Sequence, residues 1–244
     1  MKAPALALDP SDPVGAETLE QLSGAVRYNR WMFDRLRPWI APAGTGRVLE
    51  IGSGIGNLSE FLLDRARVVL TDTREEYLTR LQRRFARHAN VSVVRLYLPN
   101  EHGALENERF DTIICLNVLE HVDDDVGSLA AMRAMLAPRG RLVLLVPALP
   151  ALYGTIDRAL GHHRRYRRSD LAALFRRTGL SVAHIEYFNL AGIPGWWFAG
   201  KVLRRQLIPS GSLKVYDALV PLFRLERLLP WRLGQSLIAI GEAA

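Results

Sequence analysis

Cysteine is almost absent: Cys115 stands alone among 244 residues. That excludes an intramolecular disulfide framework and any zinc site built from several thiolates, and it fits a reducing compartment. Lysine is scarce too. Of 32 basic residues only Lys2, Lys201 and Lys214 are lysine, and the rest are arginine. Acidic residues number 25, which leaves a net charge of +7. A surplus of this sign draws anionic partners such as nucleic acid, an acidic membrane face or phosphorylated molecules; a composition bias accounts for it equally well. No stretch reaches the roughly 18–20 uninterrupted apolar residues that a spanning helix needs. The opening MKAPALALDPSDP is broken by Asp9 and Pro10 too early for a secretory signal. The expected location is the cytoplasm, with the periphery of a membrane as the alternative.

What is present is an ordinary globular composition, 49% hydrophobic and 23% charged, with no internal repeat. The length suits one large domain or two small ones. The first dozen residues read as a loose tail. From Ala16 to Ile40 the positions Leu19, Leu22, Val26, Trp31, Phe33 and Leu36 keep helical spacing. From Arg47 to Val146 short β-rich runs (VLEI, VVLTD, VSVVRL, DTIICLN, RLVLLVP) alternate with helical patterns at Leu58–Arg65, Glu75–Arg87 and Asp125–Leu136. Continuous apolar runs such as LVLLV suit strands covered on both faces, as in a parallel sheet. Strand–helix alternation gives an open α/β layer that binds ligands at the strands' C-terminal ends. Further on, an Arg- and His-rich loop precedes a helix at Ser169–Thr178, with Ser169 in a position to cap it. The strand SVAHIEYF, an apolar Trp-rich segment over 190–234 and a last strand in QSLIAIGEA follow.

The strongest chemical signal is VLEIGSGIGN, Val48 to Asn57, where a strand runs into Gly52, Gly54 and Gly56. Glycine permits a tight turn and lets backbone approach a ligand closely, and a following helix start would offer unpaired N–H groups. A dinucleotide fingerprint needs G-x-G-x-x-G, but Asn57 and Ser59 occupy the third position in the two frames available. The E-x-G-x-G-x-G spacing from Glu50 instead resembles motif I of the class I S-adenosylmethionine-dependent methyltransferases, in particular the small-molecule enzymes of types 11 and 12. Asp72 at the end of VVLTD, FDTIICLNVLEHVDD (Phe110–Asp124) and LAPRGRLVLLVP (Leu136–Pro147) resemble later motifs of that family, in the same order. The resemblance covers about residues 26–188. The acidic residue that members often carry after the third strand is missing from RLYLPNEH, so no residue is assigned to the adenine.

The resemblance implies a Rossmann-like, doubly wound sheet of seven mostly parallel strands with a last antiparallel strand. An N-terminal helical lid and a helical insert before that strand complete it. Residues 1–42 are then tail and lid helix, and 43–244 the methyltransferase domain, with 190–234 shaping an acceptor pocket or an interface. S-adenosyl-L-methionine becomes the cofactor and S-adenosyl-L-homocysteine the product. Glu50, Gly52, Ser53, Gly54, Gly56, Asn57, Asp72 and Asn117 are the cofactor-binding candidates, with Asp72 accepting from the ribose hydroxyls. Tyr28 and Trp31 lie on the lid helix as substrate-binding candidates, and core packing serves Trp31 equally well.

Methyl transfer is an in-line displacement in which holding two reactants aligned supplies about 7–11 kcal/mol of the barrier. A positioned base adds about 10²–10⁴-fold. His121, in NVLEH, is one candidate base; capping or packing of the next helix is the competing reading. The other candidates sit in GTIDRALGHHRRYRR, where His162 and His163 could deprotonate a hydroxyl beside Asp157. Arg164, Arg165 and Tyr166 are substrate-binding candidates, since a fork of guanidiniums holds carboxylate or phosphate. A solvated loop pairing with Asp157 and Asp170 is the alternative. No metal is expected: no H-x-x-x-H or carboxylate cage accompanies the histidines, and Asp123, Asp124 and Asp125 suit a helix N-terminus. The activity expected is methylation of a small-molecule or lipid-like acceptor at oxygen. The alternatives are an RNA methyltransferase and a catalytically silent cofactor-binding subunit. No stable nucleic-acid complex is expected, because no RNA-binding module or N-P-P-Y-type tetrapeptide is present. Peripheral membrane contact and a homodimer remain open as partners.

Overall fold

The computed structural model describes residues 13–101, 103–207, 210–228 and 233–244. The expected tail up to residue 12, and Trp231 and Arg232 of the Trp-rich segment, lie outside the described residues. Seven strands form one sheet: β1 (Arg47–Ile51), β2 (Arg67–Asp72), β3 (Val91–Arg95), β4 (Phe110–Leu116), β5 (Leu136–Pro147), β6 (Leu180–Phe188) and β7 (Ser236–Ala243). Their order is β3-β2-β1-β4-β5-β7-β6. The first five are parallel, and β7 runs antiparallel between β5 and β6. This is the doubly wound arrangement expected from the sequence.

The sheet is apolar on both faces because successive side chains point to opposite sides. Leu49, Val69, Ile113, Leu142 and Leu144 enter one core with helices α4 (Asp125–Ala134) and α6 (Arg168–Arg177). Their neighbours Val48, Val68, Ile114, Val143 and Leu145 enter the other, with α2 (Val26–Leu36) and α3 (Glu75–Phe85). Chain order reverses between β1 and β4, so the crevice at their C-terminal ends is where an open α/β sheet binds its ligand.

Three local expectations are corrected. The stretch Leu58–Arg65 is not an α-helix; a single 3₁₀ turn, Ser59–Leu62, crosses from β1 to β2. Leu58 and Leu62 are buried and Ser59 bonds Glu50, but so short a crossover cannot repay the cost of an α-helical nucleus. Ala16–Ile40 is not one helix either. It divides into α1 (Pro13–Ser23) and α2, because Ala25 leaves the helical region at φ −87°, ψ 64° and Asn29 donates to the carbonyl of Leu22. Finally, α6 starts at Arg168 rather than behind a Ser169 cap: the Asp170 carboxylate accepts from the Arg167 backbone N–H. The 190–234 segment holds α7 (Gly192–Trp197) with a π turn after it, and α8 (Ser210–Phe223) with a 3₁₀ turn. The short helix α5 (Thr155–Ala159) follows β5.

Candidate functional site

At the end of β1 the glycines let three other elements close in. Gly52 and Gly54 both have positive φ, 69° and 55°, which a side chain would strain. A methyl group on Gly52 would fall 2.3 Å from Val118 in the loop after β4, and one on Gly54 would meet Leu19 of α1 at 3.0 Å. At Gly56 it would press on Phe85 of α3 at 2.8 Å. The loop is therefore a close-packed cradle in which a Cβ at any of the three positions would collide with a neighbouring side chain.

Its walls are fixed by hydrogen bonds. Asp72 accepts from the backbone N–H groups of Gly54 (2.9 Å), Thr73 (2.8 Å) and Arg74 (3.1 Å). Burial nevertheless holds its carboxyl above the ordinary carboxylate range, against the pull of those donors. The Ser53 backbone N–H donates to the carbonyl of Thr71, and the Ser53 hydroxyl accepts from the Thr71 N–H, which ties the loop to β2. Glu50 is buried, takes a 2.5 Å hydrogen bond from the Ser59 hydroxyl, and is pushed by burial up to about 7. Asn57 donates its amide to the carbonyl of Leu19 (3.0 Å), and so holds α1 across the loop. Asn117, exposed and left-handed at φ 51°, ends β4 beside the cradle and donates its N–H to Leu145.

A second constellation lies where the loops after β4 and β5 meet. The Asp157 carboxylate is fully buried and accepts four donors: Gly154 N–H (2.9 Å), Trp196 Nε1 (3.2 Å), Arg165 Nε (2.7 Å) and His162 Nδ1 (3.0 Å). Burial pushes its pKa up, but the His162 and Arg165 bonds outweigh that and bring it down to about 2. The imidazoles of His121 and His162 stand edge to face, 4.7 Å apart. Burial, with His162 and His163 adding to it, lowers His121 to about 3 and keeps it neutral. Between them lies Glu120, wholly buried, whose carboxylate takes no hydrogen bond from any other described residue. Burial raises it to about 8.

The expected fork of guanidiniums open to an anionic substrate is corrected here. Arg165 is buried, paired with Asp157, bonded to the Ala148 carbonyl (2.9 Å) and stacked over Trp196 at 4.9 Å. Tyr166 is buried as well, its hydroxyl placed on the Leu119 carbonyl (3.3 Å) and Asp125 (3.2 Å). Both hold loops together, because an uncompensated guanidinium or phenol inside the fold would be costly. Arg164 is half-exposed and pairs with Asp125 at 2.9 Å. His163 projects its ring to solvent, and its backbone N–H binds the Glu120 carbonyl (2.8 Å). Trp31 is core, 4.5 Å from the Phe188 ring, while Tyr28 rests edge-on against Tyr216. Trp31 therefore has no free face for an acceptor.

Of the three candidate histidines, His121 and His162 meet, and Glu120, assigned no role from the sequence, joins them. Ligand-type atoms of Glu120, His121 and His162 lie within 4.8 Å of one another, although His162 is 41 residues beyond His121. The adjacent Glu120–His121 pair, a few residues after β4, was the available signal.

The family model described as "Methyltransferase domain" matches residues 49–142. A ubiquinone biosynthesis O-methyltransferase of Aeromonas salmonicida is 31% identical over 182 residues, covering 67% of this chain and 76% of the relative. One from Xanthomonas axonopodis pv. citri is 28% identical over 162 residues, or 60% of this chain and 67% of the relative. The N-methyltransferase NodS of Bradyrhizobium japonicum, solved with S-adenosyl-L-homocysteine, shares the fold with a TM-score of 0.55 at 17% identity, over 89% of this chain and 85% of NodS.

Proposed function

The chain belongs to the class I S-adenosylmethionine-dependent methyltransferases, and from that premise we propose that it methylates an oxygen of a small or lipid-like acceptor. S-adenosylmethionine supplies an activated methyl group when bound, and the glycine cradle with Asp72 suits it. The observation that carries the oxygen assignment is the Asp157–His162 contact. With its Nδ1–H held by a buried carboxylate, His162 presents Nε2 as an acceptor toward Glu120, beside the ring of His121. That cluster is linked to the glycine loop through Val118, which seats against Gly52 two residues before Glu120. The acceptor hydroxyl loses its proton there, and the freed oxygen pair is the nucleophile.

A lipid-like acceptor is supported by the surface of the last helices. Val215, Leu219 and Leu222 of α8, then Leu225 and Leu228, are 41–72% exposed. Exposed bases accompany them along the chain at Lys201, Arg204, Arg205, Lys214 and Arg227. The acidic residues of the segment face inward: Asp217 accepts from the Tyr28 N–H, and Glu226 from the N–H groups of Asn189 and Leu190. An apolar face with a basic border suits an anionic lipid surface. Among the described residues no helix is long and apolar enough to cross a membrane.

The test is transfer of labelled methyl from S-adenosylmethionine to fractionated small-molecule, lipid and RNA pools. Label is expected in a methyl ether or ester from the small-molecule or lipid fraction, with His162→Gln lowering the rate by about 10²–10⁴-fold. Label in RNA, or on nitrogen or carbon, overturns the reading.

A further inference from the structure

The cluster of Glu120, His121 and His162 has the composition of a metal site, and we propose that it binds one divalent transition-metal ion of the zinc class. Two imidazoles and one carboxylate are the three protein ligands that catalytic zinc sites often use, with a further position open. Imidazole and carboxylate together suit zinc and its neighbours in the first row better than calcium or magnesium.

Three features point to an ion rather than to a packed polar core. The first is Glu120. It is 0% exposed, and neither carboxylate oxygen receives a hydrogen bond from another described residue. Buried carboxylates are ordinarily paired or bound to metal. Arg165 acts on Glu120 only across space: its guanidinium bonds Asp157 and the Ala148 carbonyl, and its Nη2 makes no hydrogen bond to the Glu120 carboxylate.

The second feature is the set of groups behind the ligands. Metal-binding histidines nearly always donate their other ring N–H to a carboxylate or a backbone carbonyl. Asp157 stands 3.0 Å from His162 Nδ1, which leaves Nε2 directed at Glu120 Oε1, 3.9 Å away. His121 lies against the backbone of Gly161, the residue before His162. The His162 ring is thus oriented with one nitrogen spare.

The third is distance. The three ligand atoms lie within 4.8 Å of one another, and two ligands on a tetrahedral ion with bonds of about 2.1 Å stand roughly 3.4 Å apart. Side-chain adjustments of about 1 Å close the set. An ion bound here would take the Nε2 lone pair of His162, so the proton abstraction proposed for that nitrogen belongs to the ion-free chain. Ion binding itself does not depend on which acceptor is used.

The experiment uses the full chain without a histidine tag, stripped by chelator and dialysed, with ZnCl₂ titrated calorimetrically and CoCl₂ followed by visible absorption. One ion per chain is expected, with micromolar or tighter affinity and the intense bands of a low-symmetry cobalt site. Glu120→Gln and His162→Gln should each weaken binding at least about a hundredfold. Asp157→Asn should weaken it about 10–100-fold, as loss of an orienting partner does. Glu120→Gln keeps the shape and removes the ionisable oxygen, so its thermal unfolding reports whether the fold is intact while binding is lost. No stoichiometric binding by the wild-type chain overturns the proposal. So does binding that survives both Glu120→Gln and His162→Gln. A Glu120→Gln variant that melts higher than a wild type that binds no ion assigns the carboxylate to the protonated form and likewise ends it. Failure to methylate any acceptor would bear on the proposed function and not on this site.

Discussion

The side-chain amide of Asn57 donates to the backbone carbonyl of Leu19 at 3.0 Å, so the glycine loop itself holds down the helix that lies across it. Leu19 in turn seats against Gly54. Backbone and side chain thus latch α1 from the same loop that would hold the cofactor. Asn57→Ala removes the latch and leaves the cradle. It should cost about 0.5–1.5 kcal/mol of stability and raise the hydrogen-exchange rates of residues 13–23. Cofactor dissociation should quicken several-fold. Exchange in 13–23 equal to wild type would show that Leu19 packing alone secures the helix.

Asp72 makes a sharper case, because its carboxylate organises the cradle from below. Three backbone donors converge on it, one of them the N–H of Gly54. In Asp72→Ala those donors lose their acceptor and any ribose partner is lost with them. Calorimetric titration should show S-adenosylmethionine and S-adenosylhomocysteine both weakened by about a hundredfold or more, for two or more charge-assisted hydrogen bonds at about 1.5–3 kcal/mol each. Asp72→Asn keeps an acceptor oxygen and should fall between. Unchanged affinity in Asp72→Ala would remove this residue from the cofactor site.

Much of this was legible along the chain, for a physical reason. Unbroken apolar runs such as Leu142–Val146 are a local property of strands buried on both faces, and successive residues do enter two different cores. Glycine spacing is local too, and the strand, turn and acidic residue at Asp72 appear in order. What could not be read was partnership at long range. Pairing of an arginine with Asp157 was one of two readings open in the sequence, and only burial decides it for Arg165. His163 looked equivalent to His162, yet one projects to solvent and the other meets Glu120 across 42 residues of chain. The 3₁₀ turn at Ser59–Leu62 shows a further limit, since the apolar spacing there fits a helix that the short crossover does not build.

The exposed apolar face of α8 gives a prediction about lipid. Replacing Leu219 and Leu222 by aspartate places two charges on a face that is now 41% and 63% exposed, so the fold should stand while the face changes character. Sedimentation with anionic phosphatidylglycerol vesicles should capture the wild-type chain and release it as salt rises, because attraction of basic residues to an acidic surface is screened within about 10 Å at 0.1 M. The double variant should stay in the supernatant. Equal partitioning of both, or capture by neutral vesicles alone, would take α8 out of lipid contact.

Glu50 ties stability to pH in a direction that can be stated. Burial raises its carboxyl from 4.5 to about 7, so the folded chain holds a proton that the unfolded chain gives up in that interval. The stabilisation that goes with the protonated form is complete below about pH 4.5 and is lost as the pH rises through about 7. A displacement of that size corresponds to roughly 3 kcal/mol at 1.36 kcal/mol per pKa unit. Glu50→Gln stays neutral throughout and can still accept from the Ser59 hydroxyl, which now lies 2.5 Å from the carboxylate. Denaturant unfolding at about pH 5, 6 and 8 should therefore show the variant and the wild type nearly equal at the acid end. The variant should become more stable by about 2–3 kcal/mol at the alkaline end. Other titrating groups are common to both proteins and cancel in the difference. A difference that does not grow with pH would mean that Glu50 is ionised inside the fold, held by the cradle as an anion.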